Sequence, residues 1–84
     1  MNKPELIEKL RTIVQPYVQD EDAFANLNEE TKFMDDLKIN SANLVDIILD
    51  VEDEFDIEIE DEAMEQMLSV KAAMEIISKK VDSK

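Results

Sequence analysis

The chain has 84 residues, with 22 acidic and 9 basic side chains and a net charge of −13. That length suits one small domain, and that charge repels nucleic acid and anionic membranes while attracting basic protein surfaces. Cysteine, histidine and glycine are absent, which excludes disulfides, thiolate nucleophiles, zinc–thiolate centres, Ser-His-Asp triads and glycine-rich phosphate loops.

Hydrophobic residues make up 44% of the chain, enough for a core. "MNKPELIEKL" carries charges where a signal peptide needs an apolar run, and no run approaches membrane-spanning length. The expectation is a cytoplasmic, monomeric, single-domain protein over residues 1–84, with no membrane or nucleic-acid partner. Pro4 suits the first turn of a helix, with Asn2 or Lys3 just outside it. Leu6, Ile7, Leu10, Ile13 and Val14 follow at helical spacing, and Pro16 sets a stop near Val14 or Gln15. Residues 17–40 then read as a long connection. Phe24 and Leu27 anchor it to the core, and "TKFMDDL" forms one turn with Phe33 and Leu37 facing inward.

Asn40 is an N-cap for a second main helix running to about Glu54. Leu44, Ile47, Ile48, Val51 and Phe55 form its buried face. Asp46, Asp50 and Asp53 fall on the opposite side, and Ala42, Val45 and Leu49 make an apolar flank beyond what its own core needs. "FDIEIEDE" alternates like a strand, but no second strand is evident to pair with it. It reads as an extended loop that tucks in Ile57 and Ile59. Asp61 caps a short helix through Met67. Ser69 caps a last helix whose Val70, Ala73, Met74, Ile77 and Val81 face inward. The fold expected is all-α: a four-helix bundle of three main helices and one short one, with a long first loop.

Three features bear on function. Ser41 stands at a helix start, where serine is ordinarily a cap; alternatively its exposed hydroxyl, at the positive end of a helix dipole, favours a phosphodiester modification. The tract Asp50–Glu62 holds nine acids in thirteen residues. It is a solvated surface or a docking face for basic partners; a calcium loop would need a glycine, and no metal site is expected. Met64, Met67 and Met74 fill core gaps, or line a core that opens for a flexible apolar guest.

Taken together, "DLKINSANLVDIILDVEDEFDIEIEDE" resembles the acyl carrier protein family. Its motif runs Asp-Leu-Gly-x-Asp-Ser-Leu, then an acidic helix ending Glu-Glu-Phe, then Ile-x-Ile-x-Asp. The similarity runs without gaps from Phe33 to Ile77. It implies a non-catalytic carrier with a covalent phosphopantetheine arm on Ser41, bearing acyl groups as thioesters for type II fatty acid synthesis. The implied partners are a phosphopantetheinyl transferase and acyl-processing enzymes with basic docking surfaces. By position in the motif, partner contacts fall on Ala42, Val45 and Leu49 and on the acids Asp46, Glu52, Asp53 and Asp61. Four positions depart from the pattern: Lys38 replaces the glycine, Asn40 the usual Asp, Ala42 the usual Leu, and Asn43 a frequent Asp. A specialised carrier for polyketide or aminoacyl groups is therefore the alternative within the class. An unmodified acidic helical adaptor is the alternative outside it.

Overall fold

A computed structural model describes residues 2–83. Helix α1, Lys3–Val14, starts where the Asn2 side chain accepts a hydrogen bond from the Glu5 amide at 2.9 Å. Its buried residues, Leu6, Leu10 and Val14, recur every four positions and set one edge of the core. Pro16 ends the α-helical hydrogen bonding as expected, but the chain coils on as a 3-10 turn over Gln15–Tyr17. The Tyr17 hydroxyl then donates to Asp50 at 3.1 Å, tying this turn to the second main helix. That hydrogen bond, with the desolvation and negative charge around it, raises the Tyr17 phenol above its ordinary value.

The connection that follows is not one long loop. Helix α2, Glu21–Ala25, interrupts it, because Asp20 caps the Ala23 amide at 3.1 Å and the Phe24 ring finds a cation. The Arg11 guanidinium lies 4.7 Å from that ring centroid and donates to the Phe24 carbonyl at 3.2 Å. Beyond α2 the backbone is irregular but satisfied. Buried Thr31 accepts from the Asn28 amide. Phe33 donates to the Leu68 carbonyl at 3.1 Å, and Val70 to the Thr31 carbonyl at 2.9 Å. Lys32 and Ser69 form an isolated antiparallel bridge, so this segment is stitched to the start of the last helix. Phe33 and Leu37 are buried as expected, and Ile39 joins them.

Helix α3, Ser41–Phe55, buries Leu44, Ile47, Ile48, Val51 and Phe55, the face read from periodicity. It ends where Asp56 takes a left-handed conformation, φ 53°, a stop that glycine more often supplies. The next residues are extended, and Ile57 and Ile59 are buried, so this stretch is a loop and not a strand. Helix α4, Asp61–Gln66, starts one residue earlier in its cap than expected. Glu60 holds the cap position without a side-chain bond, and Asp61 is the first helical residue. Helix α5, Val70–Asp82, starts at Ser69, whose hydroxyl accepts from the Ala72 amide at 3.2 Å. It buries Val70, Ala73, Met74 and Ile77; Val81 is only half-buried against the core.

Among the described residues the fold is all-α. The three expected main helices are α1, α3 and α5, the expected short one is α4, and α2 is additional. Helix α1 packs on both α3 and α5, and one apolar cluster joins all the main helices to Phe33, Leu37, Ile39, Ile57 and Ile59. No helix of the described residues is long and apolar enough to cross a membrane.

Candidate functional site

Two neighbouring residues compete to cap α3, and the geometry separates them. Asn40 has extended backbone and its side chain accepts from the Asn43 amide at 2.8 Å. Ser41 is the first helical residue and is exposed. Its hydroxyl makes no hydrogen bond among the described residues, so the helix start does not consume it. The amides of Ser41 and Ala42, orphaned by their position in the first turn, have no partner among the described residues either. An alcohol here therefore stands beside two free N–H groups and the positive end of a fifteen-residue helix, a setting that favours an attached anion.

Ser41 also lies on the rim of an open apolar mouth of about 510 Å³ between α3 and α4, walled by Leu44, Val45, Ile48 and Met64. Met34 and Leu68 complete it from the two flanking segments, and Asp61 and Glu65 supply an acidic edge. Leu44 and Ile48, which line the mouth, also belong to the core cluster. Of the methionines singled out in the sequence, Met64 lines this mouth, while Met67 and Met74 are buried. Met34 and Leu68 escaped the sequence reading. Each follows or precedes a residue that is tied down (Phe33, Ser69), which turns it outward, at 38% and 47% exposure.

The residues that the resemblance assigns to partner contact divide. Ala42, Val45, Asp46, Leu49 and Asp53 are all exposed on the outer face of α3, with Val45 at 45% and Leu49 at 50%. Asp61 lies across the mouth from Val45. Glu52 is different. Its carboxylate turns inward over the loop and accepts from the Ile59 amide at 2.7 Å, capping a partly buried N–H that the extended backbone leaves without a helical partner. Glu52→Ala should cost about 1–3 kcal/mol, the penalty for leaving that group unsatisfied, whereas Asp53→Ala on the solvent side should change stability by less than about 0.5 kcal/mol. Paired urea melts check this; equal effects would return Glu52 to the solvated surface.

Among the described residues no side chain hydrogen-bonds to the Ser41 hydroxyl to activate it as a nucleophile. The nearest lysine in sequence, Lys38, is held in a left-handed conformation with φ 59° and donates its ammonium to the Asp35 carbonyl at 2.9 Å. Among the described residues no group of three or more acids is arranged to hold a metal ion. The arrangement offers an unactivated, accessible alcohol next to an apolar cavity and an acidic, partly apolar helix face.

Comparison with known proteins finds relatives along nearly the whole length of the chain. The chain is 32% identical over 81 residues to the acyl carrier protein of Guillardia theta, covering 96% of this chain and 98% of that one. It is 36% identical over 83 residues to the acyl carrier protein of Petrotoga mobilis, covering 98% and 94%. Among solved structures, the acyl carrier protein of Thermotoga maritima superposes with a TM-score of 0.77 at 27% identity, covering 95% of this chain and 91% of that one. That of Enterococcus faecalis does so with a TM-score of 0.76 at 29% identity, covering 95% and 99%. No protein-family model matches the chain. The chain belongs to the acyl carrier protein family.

Proposed function

We propose that this acyl carrier protein bears a phosphopantetheine arm on Ser41 and serves type II fatty acid synthesis as a non-catalytic, cytoplasmic, monomeric single domain. The observation that carries the reading is the division of labour at the helix start: Asn40 caps, and Ser41 is left free. The residues present fit the arm. Ser41 is exposed for attachment, the unpaired amides of Ser41 and Ala42 at the same helix start would favour a phosphodiester there, and the mouth beside them is lined mostly by apolar side chains. When attached, the group supplies the thiol that the chain lacks, on which acyl groups are held as thioesters. The mouth between Val45 and Met64 shelters the apolar guest, and the outer face of α3 orients the chain on its partners.

Those partners are a phosphopantetheinyl transferase and acyl-processing enzymes with basic docking surfaces. Asp46 and Asp53 steer encounter, while Val45 and Leu49 supply the apolar contact. Chemistry stays with the partners; tethering raises the substrate concentration at whichever enzyme is docked. A second reading, a specialised carrier for polyketide or aminoacyl groups, is favoured by Asn40 and Ala42, which remove a charge and shrink an apolar contact beside the attachment point.

Incubation with a phosphopantetheinyl transferase and coenzyme A should raise the intact mass by one phosphopantetheinyl group. Ser41→Ala should abolish the gain. Attachment mapped to Ser69 or Ser78 would overturn the site, and no attachment under conditions that load a fatty-acid carrier would favour an unmodified adaptor. Loading of the arm, but no elongation by fatty-acid synthesis enzymes, would favour the specialised carrier.

A further inference from the structure

The chain has five methionines, of which Met1 lies outside the described residues. The other four divide by exposure and by place in the same way. Met67 and Met74 are core residues, 1% and 4% exposed. Met34 is 38% exposed and Met64 is half-buried, and both line the mouth beside Ser41. Among the described residues, the two methionines open to solvent therefore belong to one cavity. They come to it from different elements, Met34 from the segment before α3 and Met64 from α4. Leu44, Val45, Ile48 and Leu68 supply the rest of its apolar lining.

We propose that Met34 and Met64 form a paired modification site, at which a hydroperoxide converts each thioether to a sulfoxide and so makes the mouth reject apolar guests. The thioether lone pair attacks one peroxide oxygen. The S–O bond forms as the O–O bond breaks, and the departing oxygen takes up a proton and leaves as water or an alcohol. Sulfur is oxidised and the peroxide is reduced. The chain has no cysteine, so none of its own thiols competes for the oxidant. Met67 and Met74 are shielded, because a peroxide reaches them only when the core opens. Before oxidation, an unbranched, polarisable thioether adapts to a flexible apolar guest. After it, each sulfoxide brings a strong, hydrated acceptor into the lining, and a guest that displaces the water leaves that acceptor unsatisfied. Methionine sulfoxide reductases reverse the step, so the pair can act as a switch. The consequence for guests rests on the reading of the mouth as their shelter, but not on what is attached to Ser41.

The test uses the full chain without an arm. Dilute hydrogen peroxide is added, and peptide mapping follows each methionine with time. Met34 and Met64 should each gain one oxygen about tenfold faster than Met67 and Met74, in line with their difference in access. The 15N-labelled chain is then compared with and without 1-octanol. Before oxidation, octanol should shift the amides of Leu44, Ile48 and Met64. After oxidation, those octanol-induced shifts should fall by roughly threefold or more. The double variant Met34→Leu, Met64→Leu keeps the lining apolar at similar volume, and its octanol shifts should survive peroxide. Ser41→Ala should alter none of these results, so failed attachment at Ser41 and failure of this inference are separate outcomes. Oxidation of Met67 or Met74 as fast as the pair would overturn the proposal. So would octanol shifts that are absent at those three amides, that persist after both sulfoxides form, or that peroxide abolishes equally in the leucine variant.

Discussion

Ile48→Ala should lower the free energy of unfolding by about 2–5 kcal/mol, whereas Leu49→Ala, one residue further on, should change it by less than about 1 kcal/mol. The two side chains have the same composition and adjacent backbone positions on α3. They differ in exposure, 2% against 50%. Ile48 is packed in the central cluster with Leu44 and Val51, so truncation removes buried methyl groups and leaves a cavity that the surrounding helices cannot fill. Leu49 stands on the outer face between Asp46 and Asp53, and truncating it removes surface that water already touches. Its loss should appear in binding: dissociation from a basic partner enzyme should speed up by roughly tenfold, as expected for about 1–2 kcal/mol of apolar contact. Denaturant melts and surface-immobilised kinetics on the two variants read both quantities. Comparable destabilisation by the two would mean that α3 presents a different face, and the docking surface would move with it.

The phase of α3 was legible because it rests on local repetition: five apolar residues at spacings of three and four, introduced by Asn40. The starts of α1 and α5 were legible for the same reason, since Asn2, Pro4 and Ser69 act within one turn of the backbone they satisfy. What escaped was either short or non-local. Helix α2 is five residues inside a polar run, and its only strong signal, Asp20, is one acid among many. The pairing of residues 29–33 with 68–71 joins segments almost forty positions apart, with no alternation to announce it. Glu52 looked like one more surface acid. Its use is settled by the left-handed turn at Asp56, which brings Ile59 back over α3. At the candidate site, the sequence marked Ser41 and left open whether it caps the helix. Only the positions of the Asn40 oxygen and the Asn43 amide decide that.

The same non-local pairing makes residues 29–40 part of the core, and Phe33→Ala tests it. Phe33 lies outside every helix, yet it is 1% exposed. Its amide donates to the Leu68 carbonyl and its carbonyl accepts from the Ile39 amide, both at 3.1 Å. A side chain anchored by its own backbone on both sides cannot shift to refill the space it vacates. Truncation should therefore cost about 3–5 kcal/mol, the range for a buried aromatic, out of a total stability of about 4–13 kcal/mol expected for a chain this size. Met34→Ala, one position on and 38% exposed, should cost less than about 1 kcal/mol and serves as the control for composition of the segment. Urea melts supply the difference. Hydrogen exchange of the native chain adds a second readout: the Phe33 and Val70 amides should be protected about as strongly as those in the middle of α3, since opening them requires the core to open. If Phe33→Ala unfolds no more easily than Met34→Ala, or if these two amides exchange as fast as exposed loop amides, then the connection is draped over the bundle rather than built into it. The mouth beside Ser41, which Met34 and Leu68 complete from either side of that pairing, would then lack a rigid rim.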